Sequence, residues 1–591
     1  MQKRFAIFLF LCPFLVINAQ KKPAVKKVKD TVKTEVVNVV TTYNPKIADA
    51  NKIKKNPTIE LLKNSEKKKL KYTIFSAPVA STFIPKSGVV KGIDVGVKER
   101  IYKNYMAGGF GNYMSPYFET FLHHNTRFEN EFGFSAKYSA SEDNVRNSVL
   151  NSNFSNFSAS TFFKKEERYF DWKVGLYSER NEYNWYGLPT HINFDTATVN
   201  AINEEQKYNY FKLVGELTFE DSYIEYSKLL VSYFTDTYES KEAFLDFNTK
   251  LDFPLDFLNL NLNEISLNTN FEVLRGEFKN SYQDESPINY SLITAKISPT
   301  YTLTYNDFSL KLGTKLALSL DSENNSTNLL IYPEILINKS IVKNYLSVYG
   351  GVTGDLKTNR YKSFTEENPY VSPTLFITQT SEKFNSFLGI HGRLSNDISF
   401  NIKGSIKEEE DKPLYLKNNS KSNGTTSTLS STILKGYEYG NSFGVYYDDI
   451  KTTTFFAEIE YDFTKRIVLG TTIQHNSYTT TNSLEAFNLP TLQASFFGTY
   501  KSNKWYATTN VFYVSERKDA SYNSIYPSTF SGTETINSFM DLNLNGGYHF
   551  NDKFSVFLKA NNILNTNYQR FANFDTQGFQ ILGGITYKFD F

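Results

Sequence analysis

The sequence predicts an all-β chain: a transmembrane antiparallel β-barrel of about 22 strands, preceded by a short N-terminal arm that is partly helical or disordered. Three observations carry this expectation. Apolar and polar residues alternate with period two along most of the chain. The connections between alternating stretches come in two lengths that take turns. Aromatics are abundant, with 51 Phe, 41 Tyr and 3 Trp among 591 residues. Alternation gives a strand one apolar and one polar face, and aromatic side chains suit a pleated surface. Short turns at one rim and long loops at the other characterise barrels of the outer membrane.

Taken in order, residues 1–19 read as a secretory signal peptide. "MQKR" is basic, "FAIFLFLCPFLVI" is apolar, and Ala19 offers a small residue for cleavage. Cys12, the only cysteine of the sequence, lies inside that apolar run. A chain processed after Ala19 therefore has no thiol for a disulfide or a thiolate metal site. No later run of 18 apolar residues could form a spanning helix.

Residues 20–100 form the arm. Between 21 and 71 there are 15 Lys and 5 acidic residues, a net of +10, whereas the chain from 72 onward carries 47 basic and 57 acidic residues, a net of −10. Such asymmetry marks a tail with its own partner. Residues 21–34 have too little apolar content to fold. Asn44-Pro45 and Asn56-Pro57 pair an N-cap residue with a first-turn proline, which predicts short helices over 45–54 and 57–69. Between them and the Lys-rich start lies a β-prone patch, Glu35, Val36, Val37, Asn38, Val39 and Val40.

Residues 101–591 form the barrel. "FDWKVGLY", "FSLKLGTKLALSLD", "FFAEIEYDF" and "FSVFLKAN" each separate an apolar parity (Phe170, Trp172, Val174, Leu176 in the first) from a polar one. Short connections at 305–308, 342–345, 463–466, 502–504 and 550–553 alternate with long polar ones at 181–206, 277–289, 359–370, 408–428, 476–490, 517–535 and 564–577. Counting on this basis gives 24 strands, or 22 if one doubtful pair is dropped, because turn parity is ambiguous over 380–397 and residues 428–450 can be one bent strand or two. The range is 20–24. The last strand, Gly578 to Phe591, keeps its alternation to the end of the sequence and is expected to pair with the first. In a bilayer core every backbone polar group needs a partner, and closure supplies it.

The C-terminal stretch 539–591 resembles the end of TonB-dependent receptor barrels in its Asn561 to Asn565 run (Asn-Asn-Ile-Leu-Asn), Tyr568, the strand start at Gly578 and the aromatic last residue. The resemblance is good over these ~50 residues, fair over 100–538 and partial before. It implies an outer-membrane barrel for uptake or binding of a nutrient. It also implies that Glu35–Val40 is a TonB-box-like segment, one that adds a strand to a partner's sheet edge. Gly578, Tyr587, Phe589 and Phe591 become the signal by which the barrel-assembly machinery accepts the chain. The sequence departs from the family in the room before the barrel: about 80 Lys-rich residues stand where those receptors carry a folded plug of well over a hundred. A lumen of ~22 strands must still be filled, by the arm, by inward-folded loops or by another protein.

No enzyme is expected, and no cofactor, metal or nucleic acid. "GNSFG" (Gly440 to Gly444) fits G-x-S-x-G with Ser442 as nucleophile, but it lacks the strand–turn–helix setting the motif requires, being strand-like on both sides. His123 and His124 point to opposite faces of a strand, and His191, His391, His475 and His549 lack ligand spacing. Glu408 to Asp411 ("EEED") read as a solvated acidic loop. Two functions lead, a TonB-dependent receptor-like uptake barrel or a plugless accessory barrel in an outer-membrane assembly, secretion or surface-lipoprotein complex, with a passive porin as the remaining alternative. Expected partners are outer-membrane lipid, the assembly machinery, and TonB or a surface lipoprotein, with the barrel in the cell outer membrane and the arm in the periplasm.

Overall fold

The computed structural model describes residues 101–126, 130–253, 265–284, 286–425, 434–524 and 528–590. The signal peptide, the arm with Glu35–Val40, and Phe591 lie outside the described residues. Twenty-two strands form one antiparallel sheet, each paired with its neighbour in chain order. The last, Gln580–Phe589, closes on the first, Asn104–Gly111, through eight residue pairs from Asn104↔Phe589 to Gly111↔Leu582. No edge of this sheet is left open, which is what a bilayer core demands.

The two doubtful regions resolve into three long strands, Gln379–Arg393, Ile398–Lys417 and Phe443–Thr464, giving the count of 22. Ile398–Lys417 corrects the sequence reading. Glu408 to Asp411 lie inside it rather than in a loop, and the long connection is 418–442. The strand carries these acids on both faces: Glu409 lies on the inward parity against Lys407 and Lys412, just ahead of a bulge before Lys412, while Glu408 and Glu410 meet Lys383 on the neighbouring strand. The closing strand also starts two residues later than expected, at Gln580.

Connections alternate as the sequence suggests. At one rim are 167–169, 220–223, 306–307, 343–345, 394–397, 465–466, 502–504 and 550–553; at the other are 142–153, 185–204, 279–287, 359–378, 418–442, 481–491, 515–538 and 562–579. Asn306 and Asn344 hold the positive φ that such tight turns require. Three connections at the long-loop rim are short. Two of them, 237–240 and 322–325, are closed locally, by Asp236 Oδ1 accepting from the backbone of Tyr238 and Ser240, and by Asp321 Oδ1 accepting from Glu323 and Asn324.

The outward parity is apolar and exposed: Leu176, Phe211, Leu229, Phe271, Leu318, Ile331, Leu388, Phe455 and Ile585 all belong to it. Near the short-turn rim this face ends in a belt of aromatics that touch in pairs across neighbouring strands, Phe163 with Trp172, Tyr223 with Phe253 and Trp505 with Tyr548. An apolar band finished by an aromatic girdle is a bilayer-facing surface. The buried core is therefore not behind the apolar strand faces. It lies inside the barrel at the long-loop end.

Candidate functional site

Over most of its height the inner wall is polar and many of its charges are paired. Lys296 Nζ lies 3.2 Å from Glu272 and 3.6 Å from Asp355, and Lys315 reaches the other oxygen of Asp355 at 3.0 Å. Glu409 collects Lys407 at 2.9 Å and Lys412 at 2.6 Å. Towards the long-loop rim the same inward parity turns apolar. Tyr208, Tyr210, Phe234, Leu274, Phe278, Tyr290 and Leu292 are buried there in one cluster.

What buries them is the barrel's own loops. Segment 359–378 contributes Tyr361, Phe364, Val371, Leu375 and Ile377 to the cluster, and segment 562–579 contributes Phe571, Ala572 and Phe574. The first segment opens with a helix, Tyr361–Glu367. Seven residues are too few for a helix to persist in water, and its N-cap residue, Arg360, gives it no side-chain cap. The barrel wall supplies the cap instead. Glu242, fully buried on strand Lys241–Phe253, accepts from the backbone N–H of Tyr361 at 2.6 Å and of Lys362 at 3.3 Å, and from Tyr290 Oη at 3.1 Å. Tyr361 Oη donates to Asp236 at 2.8 Å. Lys362, only 3% exposed, places its ammonium 2.8 Å from Glu179 and 3.2 Å from Glu366, over the ring of Tyr210. Asn368 and Pro369 end the helix, and the carbonyls that follow are taken from the wall and from connection 185–204: Tyr208 Oη donates to Pro369 O and Trp185 Nε1 to Tyr370 O. Val371 then pairs with Phe443 as a parallel bridge.

The second segment is set by the Asn run. Asn562 and Asn565 both adopt positive φ. Asn562 Nδ2 donates to the carbonyls of Thr566 and Gln577, closing the base of the loop. Its tip packs on the first segment, with Phe574 stacked on Tyr370 at 3.8 Å. A hairpin, Arg517–Tyr522 with Phe530–Ile536, leans on this segment and on the wall: the Arg517 guanidinium donates to the carbonyls of Gln569 and Arg570, and Asp519 accepts from Lys417 N, on strand Ile398–Lys417, at 3.0 Å. Burial pushes the Asp519 carboxyl up to about 6. Burial and the nearby Arg570 lower Arg517 to about 10.

The residues singled out from sequence fall as follows. Tyr587 and Phe589 stack at 5.8 Å on the closing strand, with Tyr587 exposed on the outward face. Gly578 lies ahead of that strand rather than at its start. Asn565 Oδ1 accepts from Phe579 N at 3.0 Å, and a Cβ on residue 578 would come within 2.5 Å of the same oxygen. Tyr568 stacks on Phe539 and donates to Asp541. Ser442 is fully buried, donating to Tyr437 O and accepting from Asn418, with no base beside it; a strand follows it, but a loop, not a strand, precedes it. Among the described residues no group of three His, Cys, Asp or Glu side chains is placed to hold a metal ion. Sequence reading missed the 359–378 segment as a structured element. Its apolar residues at 361, 364, 371, 375 and 377 were the available signal, hidden among Arg360, Lys362, Glu366 and Glu367.

No protein-family model matches the chain, and no curated protein matches it at a significant level. Solved structures do. The FrpB iron transporter from Neisseria meningitidis superposes with a TM-score of 0.60 at 10% identity, over 83% of this chain and 82% of that one. The siderophore receptor PirA from Acinetobacter baumannii gives 0.59 at 12% identity, over 82% and 80%. A mutant of the ferric enterobactin receptor PfeA from Pseudomonas aeruginosa gives 0.59 at 9% identity, over 83% and 81%. At these identities the likeness is one of fold: the chain shares the barrel architecture of these iron and siderophore receptors.

Proposed function

We propose that this chain is a receptor-type barrel of the outer membrane that binds or takes up a nutrient too large for a porin. The observation that carries the reading is the closed 22-strand barrel with its long loops gathered into one mouth, the architecture of the siderophore and iron receptors above. Barrels this wide leave a lumen that side chains of the wall alone do not fill, and that lumen offers a route. TonB engagement through Glu35–Val40 and acceptance by the assembly machinery through the closing strand belong to the same proposal. So does a periplasmic place for the arm.

The test is a native pull-down from outer membranes combined with uptake assays in a strain that lacks the chain. Loss of uptake of one solute class, with that solute bound to the isolated barrel, supports the receptor. A second reading, an accessory barrel in an assembly, secretion or surface-lipoprotein complex, draws support from the way the barrel's own loops fill the mouth. Unchanged uptake together with a stoichiometric protein partner would replace the first reading with this one.

A further inference from the structure

We propose that segment 359–378 is a removable stopper: seated in the inner wall at the long-loop rim and against segment 562–579, it completes the closure of the mouth, and the barrel opens when the segment leaves that seat as a unit. The proposal stands whether or not a cargo passes, since it concerns what closes the lumen.

The seat is specified by polar keys set into an apolar socket. The socket is Tyr208, Tyr210, Phe234, Phe278 and Tyr290, into which the Tyr361 ring fits edge-on, 4.9 Å from Phe278 and 5.2 Å from Phe234. The keys are Glu242 on the two helix N–H groups, Asp236 on the Tyr361 hydroxyl and Glu179 on the Lys362 ammonium. One of these keys, Lys362 with Glu179, is a buried ion pair, and a permanent seal has no need of one. Replacing buried ion pairs by apolar packing is often neutral or stabilising, and the best-attested use of such pairs is to select one register or state over another. The helix itself has two states by construction. Because it is too short to stand alone and takes its cap from the wall, leaving the seat removes its reason to be helical. At its C-terminal end Asn368 is fully buried, yet its Nδ2 has no hydrogen-bond partner, so docking leaves one polar group unsatisfied that water would satisfy on release. The seat is thus geometrically exacting but less stabilising than its buried area implies, as a two-state element must be.

The experiment uses the purified full-length chain in planar lipid bilayers. The native barrel should be silent. Glu242→Leu keeps the volume but removes the cap acceptor, and should shift the barrel to repeated long openings while it remains a heat-modifiable folded band. Val371→Cys with Phe443→Cys, added to Glu242→Leu, places two thiols at bridge-paired positions in a mature chain that otherwise has none. Oxidation should abolish the openings and reductant should restore them. Should Glu242→Leu fail to fold, replacement of 361–376 by a Gly-Ser linker should give a constitutively open barrel. A conducting native barrel, a folded Glu242→Leu barrel as silent as the native one, openings that survive a verified disulfide, or a silent linker variant would each overturn the proposal.

Discussion

Asp519 shows how much a single residue can report. Its side chain is fully buried in the hairpin, Oδ1 accepts from Lys417 N and Ala520 N, and the Asn488 side chain lies beside the carboxyl. With the folded carboxyl at about 6 against an ordinary 3.8, the folded state holds its proton more tightly than the unfolded one. The stability this brings is complete below about pH 4 and is lost as pH rises through about 6, amounting to roughly 3 kcal/mol for a shift of about two units. Asp519→Asn, which keeps the acceptor and supplies N–H donors in place of Oδ2, should flatten the pH dependence of loop unfolding between 4 and 7 and stabilise the hairpin at neutral pH. Hydrogen exchange of the 517–536 amides at pH 5 and 7.5 checks it; an unchanged difference between the two pH values would show that Asp519 is not the titrating group. Gly578 is the second case. Gly578→Ala puts a methyl 2.5 Å from Asn565 Oδ1 and should cost about 1–3 kcal/mol by overpacking, seen as a lower melting temperature with no loss of membrane insertion. Neither effect was legible in the sequence. Asp519 needs Lys417, a hundred residues away, and the reason for Gly578 is the side chain of Asn565.

At the scale of elements, legibility depended on range. Strand alternation is local, and for Phe170–Leu176, Phe308–Leu320 and Phe554–Ala560 the apolar parity named from sequence is the parity that faces outward. Loops are different. Segment 359–370 reads as polar because Lys362 and Glu366 are charged, yet Lys362 is buried against Glu179, which is 183 residues earlier in sequence. The closing strand permits a paired prediction. Ile585 is 53% exposed on the outward face and Thr586 faces the lumen. Ile585→Arg should cost roughly 2–4 kcal/mol near the bilayer midplane, while Thr586→Arg, one residue on, should be tolerated. Likewise, changing Tyr587 and Phe589 together to Asp should leave unfolded protein in the periplasm. The fraction of heat-modifiable protein in outer membranes measures all three. Equal loss for Ile585→Arg and Thr586→Arg would mean that the two parities do not face lipid and water.

For the whole molecule, the sequence supplied the architecture and left the interior undecided. Closure and the two rims followed from alternation and turn length, and the count only to within 20–24, because a barrel in lipid permits few other solutions. The filling of the mouth did not, because an aromatic core built from three loops and six wall strands is assembled from residues that are scattered along the chain. The central claim is closure of the last strand on the first in a stated register, and a sequence whose single cysteine is Cys12 makes it directly measurable by paired cysteines. Ala107 pairs with Thr586 across the seam, whereas Lys588 pairs with Tyr105. In isolated outer membranes Ala107→Cys with Thr586→Cys should form an intramolecular disulfide that shifts the denatured chain on a non-reducing gel, and Ala107→Cys with Lys588→Cys should form little. Absence of the first crosslink in folded protein, or equal crosslinking of both pairs, would contradict the barrel described above.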